Sequence, residues 1–539
     1  MLLELKNIAK LVGERRLFRS GRLQINKGDR IGVVGRNGAG KSTLLAIMAG
    51  KITVDAGEVV RRCEPALISQ LDAPDRSIPP IDPVLARHWQ VSPAAAGQMS
   101  GGERTRCKIA AALSEKPLLL LADEPGANLD IKGIELLQST LQSFPGALVI
   151  VSHDRQILDS LCTTIWEIAD GELTPYRGNY SSYLTQKETV RLQRQRQYEG
   201  YLREKSQLEQ AIADRQSRSA ATRKTPSRMG NSEARLHKMG NQKAKASLDK
   251  AVKALETRLE KLGTAVKPGA APTIRFDLAA ADGLYSKMVI QGSGITKAFG
   301  SRILFQDAAV SIANGQKIAL IGDNGCGKTT LLKLILRRQP PLAVSPQVRI
   351  GYFAQGADNL APGQSILANI LSTSVQPEEF VRRLLARLLF RGDAIDKKAA
   401  VLSGGERTRV CLAKIMVSEA NVLLLDEPTN YLDLPSLEAL ETVLAAYPGT
   451  VVFASHDRRF VDKVATGLLL IEAGKLRAFP GNYTDLLQTR ASAVSAENTL
   501  LLEHRLAEIV SRLALTTDKA ELERLDKEYR QLLAARKQK

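Results

Sequence analysis

Gly35-Arg36-Asn37-Gly38-Ala39-Gly40-Lys41-Ser42 follows the short apolar stretch Arg30 to Gly35, and Gly322-Asp323-Asn324-Gly325-Cys326-Gly327-Lys328-Thr329 follows Lys317 to Gly322. Each is G-x-x-x-x-G-K-[ST] set between a strand and an apolar helix, the context that makes the pattern a phosphate-binding loop. The glycines let successive backbone N–H groups converge on phosphate oxygens at a helix N-terminus. Lys41 or Lys328 reaches the β and γ phosphates, and the hydroxyl of Ser42 or Thr329 is placed for magnesium. Thr43 and Thr330 complete the two loops. One such match is weak evidence; two in matching context are not.

Working outward, the chain repeats. Ser100-Gly101-Gly102-Glu103 and Ser403-Gly404-Gly405-Glu406 are each followed by Arg-Thr-Arg and an apolar helix. Strands predicted at Leu118 to Ala122 and Val422 to Leu425 run into Asp123-Glu124-Pro and Asp426-Glu427-Pro. Asp130 and Asp433 follow. Strands predicted at Leu148 to Val151 and Val451 to Ala454 then end in Ser152-His153-Asp and Ser455-His456-Asp. The offset is 303 for the signature serine, the glutamate and the histidine, and 287 for the lysines. The first copy is therefore 303 − 287 = 16 residues shorter between its lysine and its signature. Each acidic pair closes an apolar strand, where an α/β sheet presents ligand groups.

This ordered set resembles the ATP-binding cassette (ABC) family, over residues 1 to about 185 and about 288 to 485. The resemblance implies an ATPase using ATP and Mg2+. It makes Gln70 and Gln355 the glutamines that contact magnesium and the attacking water. Asp123 and Asp426 hold the metal with Ser42 and Thr329, Glu124 and Glu427 polarise the water, and His153 and His456 sense the γ-phosphate. Ser403 to Glu406 cap ATP held by Lys41, and Ser100 to Glu103 cap ATP held by Lys328. Two departures stand out. Phe299 precedes Gly300, where family members often stack an aromatic on adenine, but Val12 precedes Gly13. The first copy reads Gly126-Ala127-Asn128 where the second has Thr429-Asn430-Tyr431, nearer the family pattern.

Between the copies, apolar residues recur at helical spacing. Tyr198, Tyr201, Lys205, Leu208 and Ile212 form one seam, and Leu248, Val252, Leu255, Leu259 and Leu262 another. Two such seams predict an antiparallel helical hairpin, its first helix at about 188 to 218 and roughly 45 Å long at 1.5 Å per residue. Ser217 to Gly240, with Pro226 and Gly230 as breakers, is the predicted tip. Residues 187 to 267 carry 20 Lys/Arg against 9 Asp/Glu, so this stretch holds +11 of the chain's formal +19. A concentrated one-signed excess points to a polyanionic partner.

At 539 residues the chain is too long for one core. Its five cysteines are scattered, without a Cys-x-x-Cys pair, which predicts reduced thiols rather than a metal site or disulfide framework. No apolar run approaches the roughly 20 residues needed to span a bilayer, and MLLELKNIAK lacks the pattern of a signal peptide. These features predict a cytoplasmic protein.

Two cassettes joined by a basic hairpin resemble the ABC-F family. That resemblance implies a monomer whose two ATP domains pair within the chain, and the ribosome as partner, bound in its exit (E) site through ribosomal RNA and P-site tRNA. The short span from Lys41 to Gly101 leaves no room for the inserted arm of housekeeping members. Thr225 to Lys238 looks like the linker tip of antibiotic-resistance members of the Vga, Lsa and VmlR type. Arg223, Lys224, Arg228, Met229, Arg235, His237 and Lys238 are then the expected contacts to the ribosome or drug site. This type protects against large-subunit antibiotics of the lincosamide, streptogramin A and pleuromutilin classes. The alternatives are a housekeeping ABC-F factor that rescues stalled ribosomes, or the ATPase subunit of an efflux transporter. The expected fold is α/β: an ABC domain at 1–185, a helical hairpin linker at 186–275, a second ABC domain at 276–487 and a helical extension at 488–539.

Overall fold

The structure, a computed structural model, describes residues 1–13, 15–69, 80–91, 101–221, 231–263, 287–300, 302–354, 359–430 and 432–490. It also describes residues 492, 505–507, 509, 511, 524–525 and 527–530, and for 221 and 231–245 only the backbone. Leu119–Asp123, Ala147–Val151, Val422–Asp426 and Thr450–Ala454 are buried at every position. Such runs occur where a parallel sheet is covered on both faces. They form the centres of two sheets with one strand order. In the first the order is Glu172–Arg177, Thr164–Ala169, Arg30–Gly35, Ala147–Val151, Leu119–Asp123, Ala66–Ile68. In the second it is Lys475–Pro480, Gly467–Glu472, Lys317–Ile321, Thr450–Ala454, Val422–Asp426, Ile350–Phe353. The repeat seen in motifs is thus a repeat of topology.

The first sheet continues into antiparallel strands, whereas in the second half the matching strands form a separate three-stranded sheet. Leu3–Val12 pairs with Arg15–Arg19, Arg22–Ile25 and Ala56–Arg61. Met288–Phe299 pairs with Arg302–Ala313 and Leu342–Val344. The loop helices Lys41–Met48 and Lys328–Leu336 bury Leu44, Leu45, Ile47 and Met48, and Leu331, Leu332, Leu334 and Ile335. The strand predicted to begin at Leu118 begins one residue later, because Leu118 is exposed at the strand's entry.

Met1–Pro175 with Pro272–Lys539 forms one compact unit, and Tyr176–Ala271 forms another. In the latter, helix Tyr180–Ala221 packs on Asn231–Lys261. The predicted seams face inward: Leu208 and Val252 are buried, and Tyr198, Tyr201, Lys205, Ile212, Leu248, Leu255, Leu259 and Leu262 are half-buried. Ser219 Oγ donates to Asp249 Oδ1 at 2.8 Å, and Arg258 pairs with Glu204 at 2.9 Å, both across the hairpin. The first helix starts earlier and ends later than predicted, at 42 residues or about 60 Å. Its first turns carry buried Tyr180 and Tyr183, an aromatic anchor outside the seam pattern.

In the C-terminal extension Leu506, Ile509 and Leu525 are buried, and Arg505 lies 3.6 Å from Glu528. Leu513, Leu522 and Leu532 of that predicted helical pair lie outside the described residues. All five cysteines are free thiols. Among the described residues no helix is long and apolar enough to cross a membrane.

Candidate nucleotide sites

Both phosphate loops close on their own lysine. Lys41 Nζ donates to the carbonyls of Gly35 at 2.9 Å and Arg36 at 3.3 Å. Lys328 Nζ does the same to Gly322 at 2.8 Å and Asp323 at 3.3 Å. Gly40 and Gly327 adopt φ of 101° and 111°, open to glycine but strained for other residues. A Cβ there would lie 2.9 Å from the Phe18 ring and 2.8 Å from the Phe305 ring, so an aromatic is packed directly on each loop. Asn37, Gly38, Asn324 and Gly325 form the loop bends between these points.

The acidic pairs converge on the same loops. Thr329 Oγ1 donates to Asp426 Oδ1 at 3.1 Å, and Ser42 hydrogen-bonds Asp123. Burial raises both aspartates above the usual carboxylate range. Glu124 and Glu427 sit at φ 50° and 49°, in the left-handed region where a non-glycine residue is uncommon. Their N–H groups donate to Val151 O at 2.9 Å and Ala454 O at 3.0 Å, tying the turn to the neighbouring strand. This strained backbone aims each carboxyl at its switch histidine. His153 Nε2 lies 3.2 Å from Glu124 Oε1, and His456 Nε2 lies 3.3 Å from Glu427 Oε1. The backbone N–H of His153 donates to Glu124 Oε2 at 3.2 Å.

Burial pushes Glu124 up to about 8 and Glu427 up to about 7, against the pull of Lys41 and Lys328. Burial also pushes His153 down to about 3 and His456 to about 4, helped by the same lysines. Each site therefore pairs an uncharged imidazole with a carboxyl poised near neutrality, the range in which a general base works best.

Four side-chain atoms here are buried without a hydrogen-bond partner among the described residues: Asp123 Oδ1, Glu124 Oε1, His153 Nδ1 and His456 Nδ1. Glu124 Oε1 is close to His153 Nε2 without hydrogen-bond alignment, so it belongs in that set. Unsatisfied buried polar atoms beside a phosphate loop suit a polar ligand such as a metal-bound phosphate.

The two halves meet at these sites. Asp433 Oδ2 accepts from the Asn37 N–H at 2.8 Å, and Asp130 Oδ2 from the Asn324 N–H at 3.5 Å. Asn324 Nδ2 donates to Asn128 O at 3.0 Å. A Cβ on Gly102 would lie 3.6 Å from Asn324 Nδ2, so this signature glycine faces the opposite phosphate loop. Gly101, Gly102 and Glu103 open helix Gly101–Ser114. Gly404, Gly405 and Glu406 open Gly404–Met416, where Ser403 and Glu406 form a capping box: Ser403 Oγ accepts Glu406 N at 3.3 Å and Glu406 Oε2 accepts Ser403 N at 3.0 Å.

Phe299 and Val12 occupy matching ends of the two antiparallel hairpins, opposite Arg302 and Arg15. Phe299 is 58% exposed, with Lys297 Nζ 5.5 Å from its ring centre. Gln70, Gln355, Ser100 and Tyr431 lie outside the described residues, as do Arg223, Lys224, Arg228 and Met229. Arg235, His237 and Lys238 fall on helix Asn231–Lys261, in the part of it, 231–245, described by its backbone alone. Phe18 and Phe305 belong to no motif of the sequence, although 305 − 18 = 287 repeats the lysine offset. Arg155 and Arg458, which cross between the halves, also carried no signal beyond standing two residues after each switch histidine.

The ABC transporter family matches residues 18–127 and 305–430, and a second pattern of the same description matches 166–243. The chain is 34% identical over 481 residues to the ribosome protection protein VmlR of Bacillus subtilis, covering 87% of this chain and 86% of that one. It is 34% identical over 443 residues to the erythromycin resistance ATP-binding protein MsrA of Staphylococcus epidermidis, covering 81% and 91%. Among solved structures, the archaeal ribosome recycling factor aABCE1, in complex with the stalk protein aP1, aligns with a TM-score of 0.62. It is 19% identical and the alignment covers 90% of this chain and 92% of that one, a likeness of fold.

Proposed function

The chain belongs to the ABC-F family of ATP-binding cassette proteins and is an ATPase, and on that premise we propose that it is an ATP-gated ribosome-protection factor. The observation that carries this reading is the hairpin. Its apolar seam is consumed internally, while Arg194, Arg196, Arg203 and Lys253 among others stay exposed along about 60 Å of helix. A packed rod with a net basic surface is suited to RNA phosphates, and its affinity should fall with salt. The relatives named for ribosome protection and erythromycin resistance support the target. On this reading the protein acts in the cytoplasm as a monomer, in the ribosomal E site beside P-site tRNA, and Arg223 to Lys238 reshape the drug site.

In the first site, Gly35 to Thr43 cradle ATP, with Lys41 against the β and γ phosphates. In the second, Gly322 to Thr330 and Lys328 do so. Ser42, Asp123 and Gln70, and Thr329, Asp426 and Gln355, would hold magnesium. When bound, the metal offsets the charge that builds on the phosphoryl oxygens. Glu124 and Glu427 orient and polarise the attacking water, and His153 and His456 hold those carboxyls in place and face the γ-phosphate. The opposite signature, Ser403 to Glu406 for Lys41 and Ser100 to Glu103 for Lys328, completes each site only when the halves are together. ATP therefore favours the closed pair through its differential affinity for that state, and hydrolysis releases the protein.

The Glu124→Gln/Glu427→Gln double variant tests the cycle. It should bind ATP, stay on ribosomes through sedimentation and block translation. A double variant that leaves ribosomes as fast as the parent in ATP overturns the release step. Expression in a susceptible host tests protection: inhibitory concentrations of lincosamides, streptogramin A or pleuromutilins should rise. Trapping without any such rise assigns the housekeeping rescue role. Lower drug accumulation with co-purification of an integral membrane protein assigns an efflux role instead.

A further inference from the structure

Two arginines, each two residues after a switch histidine, cross the interface between the halves, beside a looser, partly exposed pair of Arg459 and Asp159 at 3.9 Å. Arg155 opens helix Arg155–Leu161 and Arg458 opens Arg458–Val464. Asp154 and Asp457 cap those helices, accepting from Gln156 N and Ile157 N, and from Phe460 N. Each arginine reaches the helix that follows the opposite Asp130 or Asp433. The two contacts are related by the repeat, but they are unequal.

Arg155 Nη1 donates to both carboxylate oxygens of Glu441, at 2.8 and 3.1 Å, and Nη2 lies 3.5 Å from Leu434 O. Both side chains are almost fully buried, at 1% and 3% exposure. Lys463 Nζ stands 3.4 Å from the same carboxylate, from within the second half. On the other side Arg458 Nη2 donates to Glu135 Oε1 at 2.9 Å and to Ile131 O at 3.1 Å, and Nη1 lies 3.5 Å from Gln156 Oε1. Glu135 is half exposed. The repeat explains the difference. Glu438 and Glu135 occupy matching positions (438 − 303 = 135), but the match to Glu441 is a neutral side chain, Gln138 (441 − 303 = 138).

The stronger contact lies on the Lys41 half. Arg155 follows His153, and Glu441 lies on helix Leu434–Ala446, capped by the Asp433 that binds Asn37 N–H. That hydrogen bond is 2.8 Å, against 3.5 Å for its repeat between Asn324 N–H and Asp130. The Lys328 half adds an ion pair between Lys132 and Asp323, but both are well exposed and screened by solvent. Removing one partner of a buried ion pair leaves an uncompensated charge, whereas a surface pair contributes little.

We propose that Arg155 and Glu441 form a one-sided clasp that positions the second half over the Lys41 site, so that this site opens later and releases nucleotide more slowly than the Lys328 site. The proposal rests on the assignment of Lys41 and Lys328 to two ATP sites. Both residues of the clasp are positioning residues; neither is placed against the reacting atoms.

The test uses full-length protein in the Glu124→Gln/Glu427→Gln background, which retains ATP. Lys328→Ala leaves the Lys41 site alone, and Lys41→Ala leaves the Lys328 site. Release of ribose-labelled mant-ATP is followed after a chase with unlabelled ATP. Two phases, each abolished by one lysine substitution, establish the site assignment before Glu441 is altered; loss of neither phase overturns that assignment. The Lys41 phase should be the slower. Glu441→Gln should speed it at least tenfold and change the Lys328 phase less than twofold. Gln138→Glu, which adds the missing carboxylate at a side chain with no hydrogen bond among the described residues, should slow the Lys328 phase. Equal phases in the parent, or equal acceleration of both by Glu441→Gln, overturn the clasp. If Glu441→Gln does not fold, Gln138→Glu decides alone: an unchanged Lys328 phase overturns it.

Discussion

Replacing Glu124 by Gln should stabilise the nucleotide-free protein, and increasingly so as pH rises. Burial holds the Glu124 carboxyl at about 8, against 4.5 for a free glutamate. Below pH 4.5 the group is protonated whether the chain is folded or not, and it contributes no pH dependence. Between 4.5 and 8 the unfolded chain ionises while the folded one keeps its proton, so stability falls at about 1.4 kcal/mol per pH unit. Above 8 both states are ionised and the loss is complete. Integrating from pH 5.5 to 8.0, the parent should lose about 3 kcal/mol that a Gln variant does not. Glu427, raised to about 7, should give about 2 kcal/mol over the same interval.

Thermal melting in EDTA without nucleotide reads this out. The chain has two tryptophans, Trp89 and Trp166, both buried in the first half, so fluorescence reports the Glu124 side selectively. For a domain of this size, 3 kcal/mol corresponds to about 6–12 °C. The quantity to compare is the melting temperature of Glu124→Gln minus that of the parent, which cancels titrations common to both. It should grow from pH 5.5 to 8.0. A difference that is flat, or that shrinks as pH rises, would mean the carboxyl is ionised in the folded protein and the proposed poise is wrong.

Three further outcomes follow from the site. Gly40→Ala places a Cβ against the Phe18 ring at a φ of 101°, so it should cost about 2–4 kcal/mol by melting and leave only the Lys328 site able to turn over ATP. Gly126→Thr should gain about 1 kcal/mol, because its repeat Thr429 hydrogen-bonds Ser455 Oγ at 3.0 Å and the nearest atom to a Cβ at Gly126 is Ile157 Cδ1 at 3.8 Å; tryptophan fluorescence measures it. Phe299→Ala should weaken labelled-ATP binding at the Lys328 site about fivefold, the worth of about 1 kcal/mol of ring stacking, and Val12→Phe should tighten the Lys41 site; no change in either places the adenine elsewhere.

Much of the fold was legible because the chain states it twice. The offsets of 303 and 287 aligned motifs whose strands are continuous apolar runs, and helical spacing of Leu208, Val252 and their neighbours marked the hairpin's inner face. What stayed hidden depends on contacts no local pattern encodes. The left-handed backbone at Glu124 and Glu427 occurs in residues that ordinarily avoid it, held by hydrogen bonds to Val151 and Ala454 on a neighbouring strand. Arg155 and Glu441 are 286 residues apart, so their pairing belongs to the closed interface and not to either segment. Tyr180 and Tyr183 extend the first hairpin helix where the seam spacing had already stopped.

The same duplication separates chemistry from timing. Lysine, hydroxyl, aspartate, glutamate and histidine are retained in both copies, and Glu–His distances of 3.2 and 3.3 Å show one geometry. The differences lie in what surrounds those groups: Val12 against Phe299, Gly126 against Thr429, Gln138 against Glu441. None alters a group placed on the phosphates; each alters base contact, loop support or the grip between halves. A pair of sites so built has matched chemical steps and unmatched opening steps. For a two-state switch that is consequential, because the closed population is set by differential affinity and not by the rate of the bond-breaking step. An interface gripped on one half passes through a state with one site closed and one open. If the clasp controls that state, Gln138→Glu should lengthen the ribosome-bound interval in ATP without changing single-turnover cleavage. A change in cleavage rate with an unaltered bound interval would place the asymmetry in the chemistry instead.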